Sequence, residues 1–181
     1  QYLQSHPILG DLWVFAYGSL MWEPEIVTCE QRRGVLFGYH RSFSPLSTVH
    51  RGIPEKPGLV LALETGDECE GMVFRIAAPQ VPDQLRILWL REMVTLFYLP
   101  IVCPVQTTLG IVNALTFAAD PKHPQYVNFS PAINARMISH AYGGRGSNMD
   151  YFCNTHQRLL ELGIHDQVFD ELQQFIQPNL S

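Results

Sequence analysis

The sequence predicts an α+β protein: strand-like segments crowd the first part of the chain, helical periodicity takes over later, and the two kinds scarcely alternate. The number of short strands points to a curled sheet or small barrel with helices packed outside it. A doubly wound parallel sheet is the alternative, and too few helices separate the strands to favour it.

The strands come first. Residues 12–17 form a short apolar run stopped by Gly18-Ser19, as expected of a buried strand entering a turn. Residues 34–39, 59–63 and 71–76 are similar short segments bounded by Gly or Pro, and residues 111–117 follow a turn signal at Gly110. Residues 44–58, rich in Pro, Ser and Gly, read as a loop.

Four helices are expected. Pro79 and Pro82-Asp83 introduce the first, whose Leu85, Leu88, Trp89 and Leu96 follow the helical period. The second starts at Ser130-Pro131, an N-cap followed by Pro at the first helical position, and ends at Gly143-Gly144. Asn148 can cap the third, whose Phe152, Thr155, Leu159 and Leu162 share a face before Gly163 ends it. The fourth carries Val168, Phe169, Leu172, Phe175 and Ile176, and Pro178 closes it.

Composition narrows the class. A chain of 181 residues, 46% hydrophobic and 16% charged, suits one folded domain with a real core, so residues 1–181 are expected to form a single domain. The net charge of −5 and the lack of a basic patch argue against nucleic acid as a partner. Residues 96–105, the longest apolar run, are broken by Pro100 and Pro104. They fall short of the roughly 20 residues a membrane span needs, so no membrane partner is expected. Cys29, Cys69, Cys103 and Cys153 are scattered, with no CxxC pair, so reduced thiols in a cytoplasm are expected rather than zinc ligands or a disulfide framework. The chain starts at Gln1 rather than Met, which leaves open where the natural chain starts; no signal peptide is read within it.

Glu92 is the most informative residue. It follows Leu85 by seven positions, Leu88 by four and Trp89 by three, so a helix sets all of them on one stripe. A carboxylate facing the core loses hydration, and its pKa rises toward the range in which proton transfer is efficient. The other reading is structural: Glu92 sits at the edge of the stripe and reaches water, or pairs with an arginine.

The strand Val14-Phe15-Ala16-Tyr17 and its turn Gly18-Ser19-Leu20 are the second candidate. A buried strand ending in Gly-Ser leaves backbone N–H groups unpaired, and such groups hold carboxylates or an oxyanion. Gly18 either takes a backbone conformation costly to other residues or lets a ligand approach the main chain. The competing reading is an ordinary strand end. Ser19 lacks the second glycine of a nucleophile elbow.

Residues 143–148 lead into a helix N-terminus, which suits an anion as well as a plain helix–helix connection. They fail the dinucleotide pattern, because they follow a helix and Met149 stands at the third glycine position. The seven histidines form no HExxH or similar pair, so no metal is expected. His50 and Arg51 lie in the long loop, where they guard a pocket or are simply solvated. Trp13, Trp22 and Trp89 read as core or pocket walls.

Four ordered segments resemble the ChaC branch of the γ-glutamylcyclotransferases. Phe15-Ala16-Tyr17-Gly18-Ser19-Leu20-Met21-Trp22 looks like that family's glycine turn. His50-Arg51-Gly52 with Lys56-Pro57-Gly58 resembles its loop, and Trp89-Leu90-Arg91-Glu92-Met93 its catalytic W-x-R-E-M block. Gly146-Ser147-Asn148 with Asp150-Tyr151 resembles its G-x-N-x-x-Y block, followed by Leu162-Gly163-Ile164-His165-Asp166. The likeness spans residues 12–175. After the glutamate this chain reads Met93-Val94-Thr95-Leu96, where eukaryotic members have Lys-Gly-Gly-Tyr, which places the resemblance in the bacterial branch.

The resemblance implies a γ-glutamylcyclotransferase-like distorted mixed β-barrel with flanking helices, a cytoplasmic location and no cofactor. It implies a substrate, glutathione, cut into 5-oxoproline and Cys-Gly. Val14, Phe15, Ala16, Tyr17, Gly18, Ser19 and Leu20 would hold the γ-glutamyl group, Glu92 would be the catalytic acid–base, and Arg51 and Tyr151 would join the binding site. The chemistry suits these residues: the substrate's α-amine is its own nucleophile, so no enzyme nucleophile, metal or cofactor is needed. Two rival readings share the turn. One is a sibling enzyme for other γ-glutamyl amino acids or γ-glutamylamines. The other is a non-catalytic γ-glutamyl-binding module, against which Glu92 on the core-facing stripe speaks.

Overall fold

A computed structural model describes residues 10–93 and 95–176. Five strands close a barrel: β1 (Leu12–Ala16), β2 (Glu30–Ser42), β5 (Ala62–Ile76), β6 (Tyr98–Thr107) and β7 (Gly110–Ala119), in the order β1-β5-β2-β6-β7. Closure comes from β7 pairing parallel to β1, with Trp13 opposite Ala114 and Val14 opposite Leu115. The neighbours β1–β5, β5–β2, β2–β6 and β6–β7 are antiparallel, so the barrel is mixed. Val14, Phe15 and Ala16 are all buried, because β1 is covered on both faces. That is why its sequence is an unbroken apolar run.

The strands are longer than the sequence suggests. The expected segment at 34–39 is the middle of β2, a strand of 13 residues, and the one at 71–76 is the end of β5, a strand of 15. The stretch between Glu64 and Glu70 is polar and largely exposed, so its pairing with β2 leaves no apolar signal. At Gly38, whose φ is +84°, the β2–β5 register shifts between Phe37 and Tyr39. This bulge bends the long pair as glycine in the left-handed region allows. The expected strand at 59–63 is divided: Gly58–Leu59 (β4) pairs with Leu46–Ser47 (β3) inside the 44–58 loop region, and β5 begins at Ala62.

β6 is absent from the sequence reading, which took Pro100 and Pro104 as breaks. Both prolines have the same parity, so both nitrogens point to one edge of the strand. On β6 the second neighbour, β2, is paired only at Thr107 and Gln106, so the ladder tolerates them.

The helices α1 (Val81–Glu92), α2 (Pro131–His140), α3 (Asn148–Glu161) and α4 (Gln167–Ile176) lie outside the barrel. α1 stops at Glu92 rather than continuing to Leu96, which is exposed and has a φ of +55° where the chain turns into β6. α2 ends at His140, short of Gly143, because Tyr142–Gly143 (β8) pairs with Gly146–Ser147 (β9). The N-cap of α3 is Ser147, whose Oγ accepts the Asp150 N–H at 2.9 Å; Asn148, the expected cap, is the first helical residue. Gly163, at φ +67°, follows the end of α3 as expected. In α4, Phe169, Leu172 and Ile176 are buried while Phe175 is on the outer side. Phe152 and Phe169 stack at 5.0 Å between centroids, and Phe43 meets both, locking α3 and α4 to the end of β2. Pro178 and Val94 lie outside the described residues.

Candidate active site

The site begins where β1 ends. The β1–β5 ladder stops at Ala16 opposite Met72, and the chain passes through Tyr17 and Gly18 into a 3-10 turn, Ser19–Met21. The Met21 N–H donates to Gly18 O at 2.9 Å and the Trp22 N–H to Ser19 O at 3.1 Å. Among the described residues, the N–H groups of Gly18, Ser19 and Leu20 meet no acceptor. They are therefore free to bind an oxyanion or carboxylate. Gly18 has a negative φ of −130°, so the turn does not call on the left-handed backbone that favours glycine. What a side chain lacks there is space: a Cβ would lie 3.3 Å from the Tyr151 hydroxyl and 3.7 Å from Leu61 Cβ.

Arg41, on β2, supports the turn from behind. Its Nε donates to Tyr17 O at 2.7 Å, its Nη1 to Asp166 Oδ2 at 2.8 Å, and its Nη2 to Glu70 O. The residue is 1% exposed. Sequence reasoning missed it, since an arginine in a polar strand segment reads as surface.

Glu92 is the last residue of α1, on the stripe with buried Leu85 and Leu88 and half-buried Trp89. Its side chain keeps 15% of its exposure, within a cavity. The carboxylate faces inward and also pairs with Arg91, Nε to Oε1 at 3.3 Å. Burial raises its pKa; the charges of Arg91 and Arg145 pull it back, and the net effect is upward. Arg91 also donates through Nη2 to Ser19 Oγ at 2.8 Å and through Nη1 to Glu23 O at 2.6 Å. It ties the turn to the end of α1.

Two buried tyrosines, Tyr17 and Tyr151, and the half-buried Tyr98 surround Glu92. The Tyr17 hydroxyl donates to Phe117 O at 2.7 Å, and the Tyr98 hydroxyl donates to Leu61 O at 2.8 Å. The Tyr151 hydroxyl accepts the Leu61 N–H at 3.2 Å, and among the described residues its own hydrogen has no acceptor. Burial pushes all three pKa values up, that of Tyr151 to about 12, so each remains a neutral donor. Tyr17 is thus committed to the barrel wall, whereas Tyr151 can donate into the cavity over Gly18.

The far wall is a pair of loops pressed backbone to backbone. A Cβ on Gly143 would lie 2.5 Å from the Gly52 nitrogen, and one on Gly52 only 2.2 Å from the Gly58 nitrogen. Asn148, fully buried, bonds both backbone groups of Leu59: Oδ1 accepts the N–H at 2.6 Å and Nδ2 donates to the carbonyl at 2.7 Å. This explains the G-x-N-x-x-Y spacing structurally: one helical turn carries the asparagine that holds the loop and Tyr151, which enters the cavity. Arg51 lies over the Tyr151 ring at 5.5 Å, and its Nη1 donates to Arg145 O at 2.6 Å.

Of the residues singled out from the sequence, Phe15, Tyr17, Gly18, Ser19, Leu20, Glu92, Arg51 and Tyr151 line two adjoining lobes that share wall residues. Val14 and Ala16 do not; they are packed in the barrel wall. Tyr98, Arg91 and Arg145 also line these lobes and were not among the residues singled out from the sequence. Tyr98 sits on the unread strand, Arg91 was read only as a letter of the W-x-R-E-M block, and Arg145 fell within residues 143–148, read as an anion site or a plain helix connection. Among the described residues no three His, Cys, Asp or Glu side chains converge as metal ligands would, and no helix is long and apolar enough to cross a membrane.

The family model for ChaC-like proteins matches residues 12–179. The glutathione-specific gamma-glutamylcyclotransferase of Escherichia coli (strain K12) is 38% identical over 172 residues, covering 94% of this chain and 74% of that protein. The Mus musculus glutathione-specific gamma-glutamylcyclotransferase 1 is 33% identical over 163 residues, covering 81% of this chain and 71% of its own length. A crystal structure of a gamma-glutamyl cyclotransferase specific to glutathione from yeast superposes with a TM-score of 0.84 at 18% identity, over 96% of this chain and all of that one. The two chains share a fold.

Proposed function

The chain belongs to the ChaC-like family, and on that premise we propose that it is a glutathione-degrading γ-glutamylcyclotransferase, a carbon–nitrogen lyase with Glu92 as its acid–base. The observation that carries the reading is the position of Glu92: a carboxyl with a raised pKa, inside a cavity, beside a turn with three uncommitted N–H groups.

The γ-glutamyl group lies on the turn at Tyr17, Gly18, Ser19 and Leu20, with its γ-carbonyl oxygen toward the free N–H groups. Its α-amine attacks the γ-carbonyl carbon, closing a five-membered ring. Intramolecular attack removes most of the entropic barrier, so the enzyme supplies no nucleophile. Charge gathers on the carbonyl oxygen, where the turn and the Tyr151 hydroxyl donate. The bond from the γ-carbonyl carbon to the cysteinyl nitrogen then breaks, releasing 5-oxoproline and Cys-Gly. Two protons leave the attacking ammonium and two reach the departing nitrogen, so one carboxyl used twice balances the reaction. A raised pKa lets Glu92 hold a proton between the two steps.

We place the enzyme in the cytoplasm, where glutathione is abundant and scattered cysteines stay reduced. The test is incubation with glutathione and assay for 5-oxoproline, beside γ-Glu-Ala and N-acetyl-glutathione. Glutathione should be turned over in preference to γ-Glu-Ala, and the acetylated compound should not react. Cyclisation of a substrate whose amine is blocked would overturn the mechanism.

A further inference from the structure

The two lobes of the cavity share Ser19, Glu92, Tyr98 and Tyr151. One lobe holds the turn and the apolar barrel wall. The other runs under the 44–58 loop and is lined by His50, Arg51, Arg91 and Arg145. With the γ-glutamyl group on the turn and the reacting bond at Glu92, the departing dipeptide occupies the second lobe.

That lobe is prepared for a negative charge. Arg51 is 8% exposed, yet among the described residues no carboxylate lies within ion-pair distance of it. Glu23 and Asp150 are close enough to act on its charge but make no ion pair with it. Its Nη1 is held by Arg145 O at 2.6 Å and Ser147 O at 3.3 Å, leaving Nε and Nη2 without acceptors among the described residues. A buried guanidinium ordinarily has an anionic partner, because desolvating an uncompensated charge is costly. Arg145 is the second available charge: its side chain keeps 43% of its exposure, and among the described residues its one ion pair is with Glu25, at 3.9 Å. Its main chain is fixed by the Arg145 N–H donating to His50 O at 2.8 Å.

We propose that Arg51 and Arg145 bind the C-terminal carboxylate of the departing dipeptide, selecting γ-glutamyl peptides with a free C-terminus over γ-glutamylamines. This rests on the cyclotransferase reading and adds to it the residues that select the free C-terminus. Glutathione presents such a carboxylate one residue beyond the scissile bond, within about 7 Å of the leaving nitrogen in an extended chain. A γ-glutamylamine presents nothing that could replace it.

The experiment compares glutathione with its C-terminal glycine amide, 5-oxoproline being the common readout, for the parent enzyme, Arg145→Ala and Arg51→Lys. The parent should prefer the acid by roughly 10- to 100-fold in kcat/KM, as expected for charge-assisted hydrogen bonds. In Arg145→Ala the loss should fall mainly on the acid and on KM, so that the preference shrinks at least about fivefold. Arg51→Lys keeps the charge but loses the planar fork, and should narrow the preference by a smaller factor. Turnover of the amide in each variant reports that the fold and the chemistry survive. Equal turnover of acid and amide by the parent overturns the proposal while leaving the cyclotransferase reading in place, as does a preference unchanged in both variants. Absence of 5-oxoproline from both compounds overturns both readings.

Discussion

Gly18 and Tyr151 meet across the cavity so closely that a Cβ at Gly18 would lie 3.3 Å from the tyrosine hydroxyl oxygen. The turn and the hydroxyl thus form one surface. One comes from the end of β1, the other from the first turn of α3, more than 130 residues later in the chain.

This contact predicts a coupled effect. Gly18→Ala should push the Tyr151 hydroxyl away and lower kcat/KM for glutathione by about tenfold, with little change in melting temperature. Combined with Tyr151→Phe, which removes the atom in the way, it should cost less than the product of the single effects. Strict additivity in this double-mutant cycle would show that the two residues act independently.

Glu92→Gln preserves shape and removes the group that carries protons. Turnover should fall by at least about 10²-fold while affinity for unreacted glutathione changes little. The folded protein should be no less stable, because a desolvated carboxylate is replaced by a neutral amide. A destabilised but active Glu92→Gln enzyme would reduce Glu92 to a partner of Arg91.

The raised pKa of Glu92 fixes the sign of a pH effect. Between the unfolded value, about 4.3, and the raised folded one, the folded chain keeps a proton that the unfolded chain has released. Stability from this group therefore declines as pH rises through that window. The difference in melting temperature between Glu92→Gln and the parent should grow in the variant's favour from about pH 4 toward neutrality. The acid limb of kcat/KM should lie above the ordinary glutamate range. Arg91→Met, which removes the largest opposing charge, should move that limb to higher pH, and Arg91→Lys should move it less. Denaturation curves and rate profiles across pH check both signs.

Arg41 should prove a stability residue with a catalytic consequence. Arg41→Met leaves Tyr17 O and Glu70 O without their buried donor and Asp166 without its partner. The expected loss is about 3–5 kcal/mol in chemical denaturation. Asp166, whose side chain keeps 13% of its exposure, should cost less when changed to Asn.

The legible part of this protein was local. The strand β1 announced itself because burial on both faces demands a continuous apolar run. Glu92 stood out because its spacing from Leu85 and Leu88 put a carboxylate on a core-facing stripe. The motif letters around Gly18, Arg51, Glu92 and Tyr151 pointed to the family through their order alone. β6 and the middle of β5 were illegible for opposite reasons: prolines whose nitrogens face an unpaired edge look like breaks, and polar residues on an exposed ladder look like loop.

By itself, then, the sequence determined the fold class, the core-facing carboxylate and the family, since each depends on residue type and spacing along the chain. Tertiary structure decided what those residues meet: Tyr151 over Gly18, Tyr98 beside Glu92, Arg91 between Ser19 and Glu92, and Arg51 buried with no carboxylate paired to it among the described residues. Such pairings depend on barrel closure and on two loops in backbone contact. Distances between segments so far apart in the chain are set by packing, which no local pattern encodes.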